Sequence, residues 1–131
     1  MENNEKHIEP YSLKILIAED EKNSAFFLKT LFKKYARELI FAENGEQAVQ
    51  MCREHSDLDI VLLDIKMPDM DGYTAARQIR EFNKDLVIIA QTAFAMKGDR
   101  EKAIEAGCND YIAKPLKKDS LLAVVTKYIK T

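Results

Sequence analysis

A chain of 131 residues is the size of one domain, and with 47% hydrophobic residues it can bury a single core rather than stay disordered. Its formal net charge of −2 gives no basic excess for bulk nucleic-acid binding. No apolar run approaches membrane-spanning length, and the opening MENNEKHIEP lacks the apolar centre of a signal peptide.

Residues 1–12 read as a polar tail or linker stub, and 13–131 as one domain. Leu13 to Ala18 predicts a first strand, followed by a helix from Glu21 to Ala36. Glu38 to Ala42 is a short second strand. Asn44 with Gln47 three residues on is a variant capping box and opens a second helix. Cys52, within that helix, and the distant Cys108 form neither a CxxC pair nor a disulfide framework, and read as buried thiols of a cytosolic protein. Asp59 to Leu63 is a third strand; its run Ile60-Val61-Leu62-Leu63 is continuous, as in a strand covered on both faces. Pro68 and Asp71-Gly72 mark a turn into a helix from Gly72 to Phe82. Leu86 to Ala90 is a fourth strand, Lys97 to Ala106 a helix ended by Gly107, and Tyr111 to Ala113 a fifth strand. Leu121, Val124, Val125, Tyr128 and Ile129 form the core-facing stripe of a last helix. Strands alternating with helices through short connections imply an α/β fold, a parallel sheet with helices on both faces. Ligands of such sheets bind beyond the carboxyl ends of the strands.

Those ends carry chemistry. Strand one ends in Glu19-Asp20-Glu21, strand three in Asp64, strand four in Thr92, and strand five in Lys114-Pro115. Crowded carboxylates resist ionising together unless a counter-ion is present. Mg²⁺ suits them, because it takes oxygen ligands and needs only one or two carboxylates beside a phosphate oxygen. Lys114 and Thr92 supply donors for phosphoryl oxygens. A carboxylate can itself be the nucleophile that forms an aspartyl phosphate. The stretch VLLDIKMPDMDGY then presents an activated aspartate.

ILIAEDE, VLLDIKMPDMDG, IIAQTA and DYIAKP, in that order and spacing, resemble the receiver domains of two-component response regulators from about Leu13 to the C-terminus. The resemblance implies a doubly wound, five-stranded parallel sheet of order 2-1-3-4-5, flavodoxin-like, with five helices. It implies that Asp64 accepts a phosphoryl group from a phosphohistidine. Asp20 matches the direct Mg²⁺ ligand and Glu19 the neighbouring acid, with Asp64 and the backbone carbonyl of Lys66 completing the metal site; Mn²⁺ is an expected substitute. Thr92 and Lys114 match the phosphoryl-binding residues, and Thr92 and Tyr111 the switch pair. Lys66 and Phe94 stand where the family tunes phosphoryl lifetime, and Lys114-Pro115 where it has a cis bond. The implied partners are a histidine kinase or histidine-phosphotransfer domain, with no nucleic acid and no direct membrane contact. The chain is expected to be a monomer or weak dimer through the fourth helix, fifth strand and fifth helix.

Glu19 stands where the family more often has aspartate, and Glu21 reads as a solvated acid of the first helical turn rather than a ligand. MDGYTAARQIR and KGDREKAIEAGCNDYIAKPL resemble receivers fused to hybrid sensor histidine kinases, so the expected parent is a hybrid kinase; a stand-alone regulator is the alternative. The expected location is the cytoplasm, with the parent kinase anchored in the inner membrane. The isolated domain is expected to be no enzyme beyond its own phosphorylation and dephosphorylation. A Mg²⁺-dependent phosphohydrolase would need an acid two residues beyond its nucleophile, where Lys66 stands. A flavodoxin-like cofactor module would need a Ser/Thr/Gly-rich phosphate loop, where EDEKNS stands. On the first helix Phe27, Leu28, Leu31, Phe32 and Tyr35 form one apolar stripe. Phe26 lies opposite it, a candidate anchor for a donor helix.

Overall fold

The computed structural model describes residues 8–92 and 98–129. Strands β1 (Leu13–Ala18), β2 (Ala36–Ala42), β3 (Ile60–Asp64), β4 (Val87–Thr92) and β5 (Asp110–Ala113) alternate with helices α1 (Lys22–Phe32), α2 (Gly45–Glu54), α3 (Gly72–Arg80), α4 (Asp99–Ala106) and α5 (Lys118–Tyr128). The strands form one parallel sheet in the order β2-β1-β3-β4-β5. Alternation along the strands splits the core in two. Ile15, Ile17, Ile60, Leu62 and Ile89 pack with Leu28, Leu31 and Phe32 of α1 and with Leu121 and Val125 of α5. Leu16, Ala18, Val61, Leu63 and Ile88 face α2, α3 and α4. β1 and β3 are buried along their whole length, which explains their unbroken apolar runs.

Several boundaries differ from those expected. α1 stops at Phe32 rather than Ala36, because Ala36 pairs with Leu13 and already belongs to β2. β4 continues through Gln91 and Thr92, because Asp64 pairs with Gln91 and Ala113 with Thr92. The expected start of α4 at Lys97 lies outside the described residues; the helix is resolved from Asp99, after Gly98 at φ 92°. The N-terminal segment is docked from Ile8 onward. Ile8 is buried in the α1/α5-side core, and the backbone N–H groups of Tyr11 and Ser12 donate to the carbonyls of Lys34 and Tyr35. An isoleucine inside the polar stretch was the available signal.

The caps explain where helices begin. Asn44 accepts from the Gln47 N–H (2.8 Å), and the Gln47 side chain reaches back to the Glu43 N–H (2.8 Å). Asp71 accepts from the Thr74 N–H at 2.8 Å, so α3 starts immediately after the loop that follows Asp64. Gly72 is required there for space. A Cβ on it would lie 2.6 Å from the Asp64 carbonyl oxygen and 2.8 Å from Ile65 Cα. A Gly72→Ala change should therefore cost about 1–3 kcal/mol in urea unfolding, the usual penalty for overpacking. A Gly72→Ala midpoint equal to the parent's would show that the end of β3 can yield.

Candidate functional site

Parallel strands end on one edge, which gathers distant residues. Glu19 follows β1 and Asp64 closes β3. Both are buried, while Asp20 is exposed. Carboxylate oxygens of these three residues lie within 4.8 Å of one another. Lys114, just after β5, reaches across the sheet to Glu19 Oε1 (3.0 Å) and Asp64 Oδ2 (3.2 Å). Backbone N–H groups hold the remaining oxygens: Glu21 donates to Glu19 Oε2 (3.1 Å) and Lys66 to Asp64 Oδ1 (3.0 Å). Each buried carboxylate is thus fixed by one backbone donor and one shared ammonium. A cavity of about 420 Å³ opens beside the acids, with Glu19, Asp20, Phe41, Asn44 and Pro68 on its wall.

The electrostatics follow from this crowding. Burial and the adjacent Asp64 carboxylate push the Glu19 carboxyl up from 4.5 to about 7; the Glu21 N–H and Lys114 pull the other way without prevailing. Desolvation works against the Lys114 ammonium, but Glu19 and Asp64 outweigh it and hold its pKa above the ordinary lysine value. Glu21 is not among the three clustered acids. It caps α1, accepting from the Asn23 N–H (3.0 Å), the Ser24 N–H (2.8 Å) and the Ser24 hydroxyl (2.9 Å). Those bonds, the one from Asn23 foremost, lower its pKa. The cap also fixes the N–H that orients Glu19. Sequence reasoning missed this link, although an acid directly before a helix was the signal.

The other expected site residues fall around this cluster. Thr92 ends β4 one residue beyond Gln91, the register partner of Asp64, and its carbonyl accepts the Lys114 N–H at 2.7 Å. The Lys114-Pro115 bond is cis. Tyr111 is half-buried against the α2/α3/α4-side core, away from the face that carries Lys114. Lys66 is exposed, and so is Phe26, at 67%. Phe94 lies outside the described residues. Burial pushes both thiols, Cys52 and Cys108, up to about 12, which leaves them inert.

Three hard oxygen donors within 4.8 Å of one another, those of Glu19 and Asp20 on the cavity wall, carry excess negative charge to offset and fit a divalent cation such as Mg²⁺. Residues 15–126 match the response regulator receiver domain. The chain belongs to that family. It is a receiver, the phosphoacceptor domain of two-component signalling. Among its relatives, the chemotaxis protein CheY of Bacillus subtilis is 37% identical over 87% of this chain and 95% of its own length. Hybrid signal transduction histidine kinase I of Dictyostelium discoideum is 37% identical over 88% of this chain. The receiver spans 7% of that kinase, and 5% to 19% of three further long relatives. The receiver domain of a Pseudomonas aeruginosa sensor histidine kinase, solved with a magnesium ion coordinated in its active-site cleft, superposes with a TM-score of 0.79. It is 35% identical, over 89% of this chain and 97% of that one. The receiver of the Saccharomyces cerevisiae response regulator Ssk1, solved with the histidine phosphotransfer protein Ypd1, gives 0.82. It is 30% identical, over 91% of this chain and 90% of that one.

Because folding raises the Glu19 pKa, the folded receiver keeps a proton between pH 4.5 and about 7 that the unfolded chain has released. Stability from this carboxyl is fully present at the acid end and is lost as pH rises through 7. Thermal melts of the metal-free protein should therefore decline across that window, and Glu19→Gln should flatten the decline. Mg²⁺, which competes with the proton, should raise the melting temperature more at pH 7.5 than at pH 5.5. Stability that climbs from pH 5 to 7 in the parent but not in Glu19→Gln would refute this assignment of the proton.

Proposed function

We propose that Asp64 is the phosphoacceptor, taking a phosphoryl group from a phosphohistidine on a kinase or histidine-phosphotransfer domain. The observation that carries this is the buried Asp64 carboxylate, held between the Lys66 N–H and the Lys114 ammonium beside two further acids. An Asp64 oxygen attacks phosphorus, the phosphorus–nitrogen bond breaks, and the imidazole leaves with the electron pair. Lys114 follows the new negative charge onto a phosphoryl oxygen, and the Thr92 hydroxyl donates to another. Water later attacks phosphorus, releasing phosphate and restoring the carboxylate.

Glu19, Asp20, Asp64 and the Lys66 carbonyl are the residues that would hold Mg²⁺, or Mn²⁺ in its place. When bound, the ion offsets negative charge on donor and acceptor. Movement of Thr92 and Tyr111 would then alter the α4, β5 and α5 face, the surface proposed for output and for weak dimerisation. On this reading the domain catalyses only its own phosphorylation and dephosphorylation. Neither nucleic acid nor membrane is among its direct partners, and it works in the cytoplasm.

A hybrid sensor kinase is the proposed parent, supported by the likeness to the Dictyostelium kinases. The near full-length match to CheY favours a stand-alone regulator as the second reading. The full-length gene product separates the two.

Acetyl phosphate should label the protein only with a divalent metal. The label should vanish in Asp64→Asn and fall at least tenfold in Asp20→Asn, by intact mass. Lys66 and Phe94 are proposed to slow hydrolysis, so the label should decay faster in a Lys66→Asn, Phe94→Glu double variant. An adduct that persists in Asp64→Asn, at another residue, would overturn the assignment.

Phe26 is the proposed docking anchor for the donor. It projects from α1 at 67% exposure, next in sequence to Ala25 on the wall of the cavity beside the acids, and aromatic side chains are enriched among binding hot spots. Phe26→Ala should raise the Michaelis constant for a protein phosphodonor about tenfold while leaving acetyl phosphate labelling unchanged. Equal rates with the protein donor, or equal losses with both donors, would remove Phe26 from the interface.

A further inference from the structure

Gln91 is fully buried, yet neither its Oε1 nor its Nε2 has a hydrogen-bond partner among the described residues. A buried amide left unpaired is costly, and in a native protein it calls for a reason.

Its position supplies one. Gln91 pairs in register with Asp64 on β3 and with Ile112 on β5. Two residues before them, Ile89 and Leu62 face the α1/α5-side core, so Gln91 and Asp64 share that face. Lys114 starts beyond β5 but places its ammonium on Asp64 of β3 and on Glu19 after β1. Because β4 lies between β5 and β3, the lysine arm crosses the strand that carries Gln91. The orphaned amide therefore sits beside the phosphoacceptor, along the path of the side chain that moves when Asp64 reacts.

We propose that Gln91 is a positioning residue for phosphoryl transfer. As Lys114 leaves Asp64 for the phosphoryl group, the Gln91 Nε2–H takes its place on the unphosphorylated oxygen of the Asp64 carboxyl. This rests on Asp64 being the phosphoacceptor. At rest Asp64 already has a donor on each oxygen, from Lys66 and from Lys114, and the amide goes unpaired among the described residues. After transfer one donor has moved away, and the acyl oxygen left behind suits a neutral amide N–H. Neighbouring strands lie about 4.8 Å apart, within the reach of rotation about the glutamine side-chain bonds. The phosphorylated state then pairs a group that the resting state leaves unpaired, which biases the equilibrium towards it.

The test uses the full chain, with Mg²⁺ alone and then beryllofluoride in saturating Mg²⁺ as the phosphoryl mimic, both by calorimetry. Gln91→Met, close in volume, and Gln91→Leu both remove the amide. Both variants should bind Mg²⁺ within twofold of the parent, bind beryllofluoride about tenfold more weakly, and melt no lower than the parent when metal-free. Beryllofluoride affinity within twofold of the parent would overturn the proposal. So would equal losses for Mg²⁺ and beryllofluoride, which mark a merely structural role. Unfolding of both variants would show that the amide is paired at rest, and would overturn the proposal as well. If the parent protein binds no beryllofluoride at all, the phosphoacceptor assignment itself fails, and that result is distinct from the others.

Discussion

Two buried carboxylates and one exposed carboxylate share a space less than 5 Å across with a single ammonium, and the architecture of this receiver is arranged around that imbalance. Ionising all three acids against Lys114 alone leaves excess negative charge, two of the carboxylates being buried. Glu19 responds by holding its proton up to about pH 7. Such a cluster of oxygen donors suits a divalent cation. Its strain is electrostatic, and a cation is what would relieve it.

Holding such a cluster requires rigid supports, which the backbone supplies. The N–H groups of Glu21 and Lys66 come from the loops that leave β1 and β3, and each points at the acid two residues earlier. The Glu21 cap and the close approach of Gly72 to the end of β3 lock those loops against α1 and α3. A longer Glu19 in place of an aspartate remains compatible with this arrangement, because its second oxygen is taken by the Glu21 N–H.

The aim of Lys114 depends on contacts far from the acids. β5 is anchored at its start by Asp110, which accepts from Arg100 of α4 (2.7 Å), from the Tyr128 hydroxyl of α5 (3.0 Å) and from the Tyr111 N–H (2.9 Å). Arg80, at the end of α3, binds the Gly107 carbonyl (2.7 Å) and Asn109 Oδ1 (2.9 Å) just before it. Asn109 Oδ1 also accepts from the Ile88 N–H of β4 (2.8 Å). Three helices and β4 thereby fix the strand whose far end delivers the lysine. Satisfied buried networks of this kind specify one arrangement, because loosening any member strands its partners.

Apolar periodicity separated strands from helices, put acids and donors at the strand ends and marked the outward Phe26, while the Asn44–Gln47 spacing marked the second helix's cap. The receiver motifs added the strand order, which no single stretch of residues contains. Boundaries such as the ends of α1 and β4 escaped because Ala36, Gln91 and Thr92 become strand residues only by pairing with a neighbour. Ile8 escaped because its apolar partners come from other elements. The sequence named Glu19, Asp64 and Lys114 without giving the contact that joins them. Lys114 lies 50 residues from Asp64 and 95 from Glu19 along the chain, and only the sheet order brings its ammonium across β4 to both. Periodicity is a local property of the chain, whereas charge crowding and an unpaired amide depend on which distant strands become neighbours.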